Sequence, residues 1–201
     1  MKIGVLGTGN VGSRLGKHWV TAGHEVMFGV REVNEKTQQI ATDAAASIGS
    51  MVEAADYGEV VVIAIPGRVM ADIIPTLALN GKIVIDATNG GGTDGKSGSE
   101  LIAALAPGAA VYKAFNSVGA ENLDKPSFGE IQSDIYYCGA NDDHAEVVAQ
   151  LIEDVGFRAF WVGDLSRAGM LETLARLWIA IATGTGAGRR LGWRLLTEAD
   201  E

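Results

Sequence analysis

Three glycines near the start of the chain have the spacing of a phosphate-binding turn. Gly7, Gly9 and Gly12 form a G-x-G-x-x-G motif that follows an apolar segment, residues 2–6, and precedes a segment with helical spacing. In such a motif the first glycine makes a tight turn, the second lets a pyrophosphate approach the backbone, and the third lets the helix pack on the strand. The N-terminus of the helix adds free N–H groups and the positive end of its dipole. The motif therefore predicts a dinucleotide site.

The end of the second predicted strand, residues 25–29, indicates which dinucleotide binds. An NAD site usually has Asp or Glu at this point, where the carboxylate binds the ribose 2′-hydroxyl group. Arg31 stands here instead, and its planar guanidinium suits a 2′-phosphate, with Lys36 as a second positive charge. These residues predict a preference for NADP(H). Two alternatives stay open: Glu32 is the acid of an NAD site, or Arg31 is a solvated surface residue.

Two further segments follow predicted strands, at the carboxyl ends where ligands bind in such sheets. Ile65 and Pro66 lie in the first segment and are expected to cover the adenosine or the pyrophosphate. Thr88 and Asn89 lie in the second and are expected to face the nicotinamide ribose. Either segment could also be an ordinary strand-to-loop turn.

Side chains suited to acid–base, thiol or metal chemistry are few. The histidines are His18, His24 and His144, and no cluster of His and Cys has the spacing of metal ligands, so no metal site is predicted. Cys138 is expected to be a small buried hydrophobic residue. Lys113 lies on a predicted buried strand and is given no role.

The elements that must position these residues alternate along the chain. Short apolar segments predict strands at 2–6, 25–29, 60–65, 82–86, 110–115, 135–138 and 157–162. Helical spacing predicts helices at 11–22, 36–47, 68–79, 98–106 and 143–155. This alternation predicts an α/β fold of the Rossmann type, with a doubly wound, mainly parallel sheet and a C-terminal helical segment.

The chain is expected to consist of two parts. Residues 1–163 are predicted to form the dinucleotide-binding Rossmann domain, and residues 164–201 a C-terminal helical segment that packs on this domain or on a partner subunit. This segment contains one long helix with few charges, residues 166–183, which needs cover on more than one side. With Trp178 and Trp193 as interface anchors, it predicts a homodimer formed through the C-terminal helices. The alternative is that the helix only covers the edge of the sheet.

The composition limits the class of protein and its partners. The chain has 201 residues, of which 47% are hydrophobic, enough for a sizeable core. A formal net charge of −9 disfavours nucleic acid as a partner, and small molecules are expected instead. No segment has the length of a membrane span, so we expect no membrane contact, and a single cysteine fits a reducing cytoplasm.

Taken together, the motifs resemble those of a known family. The residues that carry the resemblance occur in this order: Gly7-Thr8-Gly9-Asn10-Val11-Gly12, Arg31, Ile65-Pro66, Asp86-Ala87-Thr88-Asn89, Lys113-Ala114-Phe115-Asn116, Gly163-Asp164-Leu165-Ser166 and Leu171-Glu172-Thr173-Leu174. Over nearly its whole length the chain resembles the NADPH-dependent coenzyme F420 (deazaflavin) oxidoreductase family. That family includes deazaflavin reductases of archaea and bacteria and, more distantly, the cytosolic domain of the STEAP metalloreductases.

The resemblance implies where the cofactor binds. It implies a 2′-phosphate near Arg31 and a pyrophosphate held by the backbone of four consecutive residues, Thr8, Gly9, Asn10 and Val11. It also implies that residues 116–120, with Asn116 and Ala120 at the two ends, lie against the nicotinamide carboxamide. The chain departs from the family at Val30, where Ser is common, and this removes one hydroxyl contact. It departs again at Asn116, where some deazaflavin reductases have His, and this leaves the identity of the acceptor open.

The function that the resemblance implies is that of an oxidoreductase, which transfers a hydride between NADP(H) and a planar redox acceptor such as coenzyme F420. Such a transfer needs little from side chains, because both partners carry their own chemistry. Asn116 is the catalytic candidate, since its side chain can hydrogen-bond the carboxamide and fix the ring face, unless it merely closes a turn. Two other functions stay open: reduction of another small substrate, such as an imine, a quinone or a metal chelate, and NADP sensing without catalysis.

Overall fold

A six-stranded parallel sheet forms the centre of the computed structural model, which describes residues 1–92 and 95–198. Its strands are β1 (Lys2–Leu6), β2 (Glu25–Val30), β3 (Ser47–Ser50), β4 (Val60–Ile63), β5 (Ile83–Asp86) and β6 (Ala110–Lys113). They lie in the order β3-β2-β1-β4-β5-β6, with parallel pairing throughout. This is the strand order of a Rossmann-type sheet. The strands β1 to β3 are added towards one edge and the strands β4 to β6 towards the other, so the order reverses between β1 and β4. The predicted fold class is confirmed.

Helices lie on both faces of the sheet. Within the described residues the α-helices are α1 (Asn10–Thr21), α2 (Glu35–Asp43), α3 (Met51–Tyr57), α4 (Met70–Ile73), α5 (Gly98–Leu105), α6 (Ala120–Leu123), α7 (Asp143–Asp154) and α8 (Ala168–Gly184). None of these helices combines the length and the apolar character that crossing a membrane requires.

Strand β4 shows how the sheet separates two apolar layers. All of its residues are buried and β-branched, as expected for a strand that is covered on both faces. Successive side chains of a strand point to opposite faces. Val60 and Val62 accordingly join one hydrophobic cluster, which also contains Trp19 of α1. Val61 and Ile63 join the other cluster, which α3, α4 and α5 cover. The double cover fixes the carboxyl ends of the central strands.

The segment 68–79, predicted as one helix, is broken into three short pieces. A 3-10 turn (Gly67–Val69) leads into α4, and a second 3-10 turn (Ile74–Thr76) follows. Pro75 lacks an N–H group, and its ring would clash with the carbonyl group one turn earlier, so the α-helix ends before it. The prediction of a continuous helix was wrong.

The predicted helix 36–47 also ends early. Helix α2 stops at Asp43, and Ala45 has a φ of 53°, a left-handed conformation that an α-helix does not continue through. The chain then forms β3 and pairs with β2. Helix α3 begins directly afterwards with a capping box, in which Ser50 and Glu53 accept from each other's backbone N–H groups (3.2 and 2.7 Å). Neither β3 nor α3 was predicted.

The late strands extend the fold beyond β6. Strands β7 (Ser127–Phe128) and β8 (Ile131–Gln132) form a small antiparallel pair, and β9 (Asp134–Tyr137) and β10 (Arg158–Trp161) form a parallel pair. A single antiparallel bridge between Lys113 and Cys138 connects this parallel pair to β6. Both predicted late strands are therefore present, but they run beside the main sheet rather than within its parallel ladder.

The end of the chain differs from the predicted helical ending. Helix α8 confirms the long helix, but residues 185–197, here called the C-terminal strap, form no helix. The strap returns to the sheet domain, where the carbonyl oxygen of Trp193 accepts from the N–H of Asp134 (2.7 Å). The predicted C-terminal helical segment is therefore α8, and the strap that follows it is held at β9, where the N–H of Leu195 also donates to Oδ2 of Asp134 (2.6 Å). Residues 199–201 of the predicted segment lie outside the described residues.

The two tryptophans predicted as interface anchors lie inside the chain. Trp178 is 4% exposed, and its indole N–H donates to the carbonyl oxygen of Leu191 (3.1 Å). The guanidinium of Arg189 lies 5.1 Å from the centre of its ring. Trp193 donates from its indole to the carbonyl oxygen of Ser117 (2.8 Å). Both rings therefore hold the strap in place within the chain, and their contact with a partner stays a prediction.

Candidate functional site

A cavity of about 890 Å³ lies at the carboxyl ends of the central strands, where the strand order reverses. Most of the predicted cofactor-binding residues line it: Gly7, Thr8, Gly9, Asn10, Val11, Arg31, Ile65, Pro66, Thr88 and Asn89. Four predicted residues are not part of the lining: Gly12, Lys36, Asn116 and Ala120. The sequence thus predicted ten of the 22 described residues that line the cavity.

The glycine turn gives each glycine a different task. Gly7 has a φ of 107°, and a Cβ there would lie 2.5 Å from the carbonyl oxygen of Ala64. A Cβ on Gly12 would lie 2.2 Å from the carbonyl oxygen of Gly7, so this glycine lets α1 pack against the turn without touching a ligand. A Cβ on Gly9 would meet nothing within 4 Å, which leaves its backbone open to the cavity. These tasks match those that the motif requires.

The N-terminus of α1 fits an anionic ligand. Gly9 is its N-cap residue, no side chain caps the first turn, and no acidic residue lies in that turn. The free N–H groups and the positive end of the dipole therefore face the cavity without a protein anion to neutralise them. Backbone donors on an open glycine turn are the groups that bind a pyrophosphate, so the residues present fit a dinucleotide.

The residues that follow β2 bring one cation and one anion to the cavity. Arg31 and Glu32 line it and are exposed, and Arg31 has no ion-pair partner among residues 1–92 and 95–198. Arg68, after β4, lines the cavity as well. Lys36 is an exposed residue of α2 that does not reach the lining. The second cation of the cavity is therefore Arg68, which sequence reasoning missed because it was assigned to a helix.

A pair of asparagines forms where the lining ends: Asn89 lines the cavity, and Asn116 lies behind it. The side-chain amide of Asn89 donates to the carbonyl oxygen of Asn116 (3.0 Å), and the amide of Asn116 donates back to Oδ1 of Asn89 (2.9 Å). The Asn116 amide also donates to the carbonyl oxygen of Leu171 in α8 (2.9 Å). Its Oδ1 is buried without a partner, which costs about 1–3 kcal/mol unless a ligand N–H satisfies it. Oδ1 of Asn116 can therefore accept a hydrogen bond, whereas both N–H bonds of its side-chain amide already donate.

The backbone before Asn116 is strained. Phe115 has a φ of 64° and is buried, with its ring edge-on to Trp19 at a centroid distance of 5.8 Å. A left-handed conformation at a bulky residue costs of the order of 1–3 kcal/mol and persists only when its surroundings enforce it. The packing of the aromatic ring thus sets the direction in which Asn116 leaves β6.

Lys113 is the most informative residue that sequence reasoning left without a role. It is fully buried, and its ammonium group donates to Oδ2 of Asp86 (2.8 Å) and to the carbonyl oxygen of Thr88 (3.0 Å). Asp86 and Lys113 are register partners at the ends of β5 and β6. The signal in the sequence was an opposite charge at the end of each of two apolar strands that follow one another.

The remaining reactive side chains lie away from the cavity. Burial raises the pKa of the Cys138 thiol to about 12, so this residue is not a thiolate nucleophile. His18 pairs with Asp124, and His24 pairs with Asp154. Within the described residues, no group of three or more His, Cys, Asp and Glu side chains is placed to hold a metal ion.

Comparison with known proteins gives the family context of this site. The model of the family described as NADP oxidoreductase, coenzyme F420-dependent, matches residues 2–90, which contain the glycine turn, Arg31 and the Thr88–Asn89 turn. Metalloreductase STEAP3 of Rattus norvegicus is 29% identical over 180 residues, which are 86% of this chain and 36% of that protein. The predicted family resemblance is confirmed. The chain spans about a third of the length of this curated relative.

Solved structures share the fold over most of the chain. A protein from Arthrobacter sp. FB24, provisionally assigned as an F420-dependent NADP reductase, is 25% identical with a TM-score of 0.86, and the match covers 98% of this chain and 100% of that one. An imine reductase from Pseudomonas sp. is 19% identical with a TM-score of 0.70, covering 89% of this chain and 62% of that one, which shows the fold alone. The family match and the first neighbour support NADP(H) as the cofactor and an NADP-dependent oxidoreductase as the class.

We expect Arg31→Ala to weaken NADPH binding by about 1–3 kcal/mol, which is the scale of a charge-assisted contact to phosphate. NADH lacks the 2′-phosphate, so its affinity is expected to stay the same. Titration of the protein fluorescence with each nucleotide measures both. Lys36→Ala removes the same charge from a residue outside the lining and is expected to change NADPH affinity less. Equal or tighter binding of NADH by the unmodified protein would contradict the assignment and favour Glu32 as a ribose ligand.

Proposed function

We propose that this protein is an NADPH-dependent oxidoreductase that transfers a hydride between NADP(H) and a planar redox acceptor such as coenzyme F420. The observation that carries the proposal is the cavity itself, where an open glycine turn and an uncapped helix N-terminus face the unpaired cation Arg31. These groups suit the pyrophosphate and the 2′-phosphate of one ligand. The family resemblance supports coenzyme F420 as the acceptor.

The residues of the chain bind and orient the reactants in this mechanism. NADPH, when bound, supplies the hydride. The backbone of the glycine turn and Arg31 hold the phosphates, and Thr88 and Asn89 face the nicotinamide ribose. Oδ1 of Asn116, which is buried without a partner, would accept a hydrogen bond from the carboxamide N–H of a bound cofactor and so orient its ring. The protein must then hold the reacting atoms ~3–3.5 Å apart and exclude water.

A ring-to-ring transfer agrees with the polar groups that are present. Reduction of a carbonyl group needs a side chain that delivers a proton to the new alkoxide. Among the described residues that line the cavity there is no Lys, Tyr or His, and its two acidic residues, Glu32 and Asp72, are next to Arg31 and one helical turn after Arg68, at the proposed adenosine end. The nearby ammonium of Lys113 is buried and already donates to Asp86 and Thr88, so it is not a proton donor for a substrate. This favours a planar acceptor that needs no proton from the protein.

An acceptor screen tests the proposal. The protein is mixed with NADPH and coenzyme F420, and the loss of the visible absorbance of the deazaflavin is followed. Flavins, quinones, ferric chelates and cyclic imines are tested in parallel, and the metalloreductase among the relatives makes the ferric chelates the strongest competing class. Turnover with another acceptor and none with the deazaflavin would overturn the F420 assignment. Tight NADPH binding with no turnover in the whole screen would indicate an NADP-sensing module.

Asn116→Ala is expected to slow hydride transfer about 10- to 100-fold in single-turnover experiments, because the orientation of the ring is lost. NADPH affinity should fall by less, since the phosphate contacts remain. The matched control is Asn122→Ala, which removes another buried asparagine that bonds Arg189 and Arg190 of the strap. An unchanged single-turnover rate in Asn116→Ala would show that this residue only closes the turn.

We also propose a homodimer through the outer face of α8. Met170 and Leu177 are 60% and 50% exposed, and with Leu174 and Ile181 they follow the 4-3-4 spacing of an apolar helix seam. A second copy of the same helix presents the same seam, so the contact can be reciprocal around a two-fold axis.

The location we propose is the cytoplasm, because the chain has one cysteine. We propose small molecules rather than nucleic acid as partners, because the net charge is −9.

Leu177→Glu is expected to dissociate this dimer, because it places a charge in the centre of the seam. Sedimentation at micromolar protein concentration measures the change from dimer to monomer. Thr183→Glu introduces the same charge at an exposed position on a different side of α8 and should leave the dimer intact. Sedimentation of the unmodified protein as a monomer would refute the proposal.

A further inference from the structure

Two carboxylates and one ammonium group are buried together beneath the Thr88–Asn89 turn. Lys113 and Asp86 are both fully buried, and 2.8 Å separates Nζ from Oδ2. Glu172 of α8 is the third member, with its Oε1 at 3.3 Å from the same Nζ. These three residues, here called the buried ion cluster, come from β5, β6 and α8.

The buried ion cluster holds Thr88 from both sides. Oδ1 of Asp86 accepts from the backbone N–H of Thr88 (2.9 Å), and Nζ of Lys113 donates to the carbonyl oxygen of Thr88 (3.0 Å). The hydroxyl of Ser99 donates to Oδ2 of Asp86 (2.6 Å) and keeps this carboxylate in place. Because Thr88 lines the cavity, the cluster fixes the backbone that faces the proposed ligand.

Helix α8 is attached to this end of the cavity at two consecutive residues. Glu172 accepts from the backbone N–H of Gly98 at the start of α5 (3.0 Å) and forms an ion pair with Lys113 (3.3 Å). Leu171 accepts from the side-chain amide of Asn116 through its carbonyl oxygen (2.9 Å). A Cβ on Gly98 would lie 2.5 Å from the carbonyl oxygen of Gly90, so the start of α5 is tightly packed against this loop. The position of α8 and that of the asparagine pair are thus coupled.

Stability alone is a weak reason for such a cluster. Removing an ion from water costs several kcal/mol, and apolar residues of similar volume often stabilise a core equally well or better. What charged hydrogen bonds provide is direction, because each fixes the angle and the distance between two groups. In the cluster these bonds act on the backbone of Thr88, which lines the cavity, and on the attachment of α8 behind it.

We propose that the buried ion cluster is a positioning device for the nicotinamide half of the cofactor. This inference rests on the proposed NADP(H) function. Lys113, Asp86 and Glu172 do not touch the cofactor; they hold the Thr88–Asn89 turn and, through α8, Asn116. The adenosine half binds at the glycine turn and Arg31, which the cluster does not contact. Weakening the cluster therefore loosens one half of the ligand and leaves the other half bound.

Two conservative variants and two ligands test this. Glu172→Gln keeps the size of the side chain and removes its charge, and Ser99→Ala removes one hydrogen bond to Asp86 and leaves the ion pair. Calorimetric titration gives the Kd of NADPH and of 2′,5′-ADP, which carries the adenosine and the 2′-phosphate but no nicotinamide. In Glu172→Gln the Kd of NADPH is expected to rise about tenfold, with a smaller rise in Ser99→Ala, whereas the Kd of 2′,5′-ADP stays within about twofold.

The control is Glu146→Gln, which makes the same exchange at an exposed position of α7 and should change neither Kd. Thermal unfolding verifies that each variant is folded, and if Glu172→Gln is not, Ser99→Ala decides. An equal loss for both ligands would show that the cluster only supports the fold, and unchanged binding of both ligands would show that it positions nothing; either result overturns the inference. Unmodified protein that binds neither ligand would instead overturn the proposed function, and the inference with it.

Discussion

The close approach of three backbone segments at the end of β1 is the constraint on which the site depends. Helix α1 passes so near the turn that a Cβ on Gly12 would lie 2.2 Å from the carbonyl oxygen of Gly7. The loop after β4 closes from the other side, with the carbonyl oxygen of Ala64 at 2.5 Å from a Cβ on Gly7. Both obstacles are backbone atoms, so no rotamer change could make room. The N-terminus of α1 therefore points into the cavity, where its free N–H groups fit the phosphates of a dinucleotide.

The parts of the fold that were predictable from the sequence are those with a local signature. Strands buried on both faces need apolar, β-branched residues at every position, and β4 and β5 consist mostly of Val and Ile. The glycine turn was equally predictable from the sequence, because only glycine fits where two backbone segments almost touch. Arg31 was predictable as well, since its place is fixed by the end of a strand that the sequence shows. The position of the cavity follows from these three signals.

The parts that were not predictable depend on contacts between distant segments. Strand β3 (Ser47–Ser50) has one large apolar residue and exists because β2 offers it an edge to pair with. The C-terminal strap has no periodicity, and its place is set by one backbone bond to β9 and by the indole groups of two tryptophans. Asp86 stands at the end of one predicted strand and Lys113 lies within the next, but their pairing needs the register of β5 against β6. Glu172 joins them only once α8 has packed, so no spacing rule could have found it.

The two ends of the cavity use polar groups in opposite ways. At the proposed adenosine end the cations Arg31 and Arg68 are exposed. Their side chains therefore stay hydrated in the absence of a ligand, and they attract phosphate from solution. At the nicotinamide end Asn116 and the buried ion cluster are desolvated and fixed by directed bonds. Phosphate binding needs charge, whereas hydride transfer needs a distance and an angle.

These two needs are met by different stretches of the chain. The family match, residues 2–90, contains the phosphate-binding groups and the Thr88–Asn89 turn. Asp86 holds the turn from within this stretch, whereas Lys113, Asn116 and α8 lie beyond it. Proteins that share only the first stretch are therefore expected to share the phosphate-binding groups. Under the proposed function, the second stretch orients the nicotinamide, so the acceptor that meets the ring is free to differ among them.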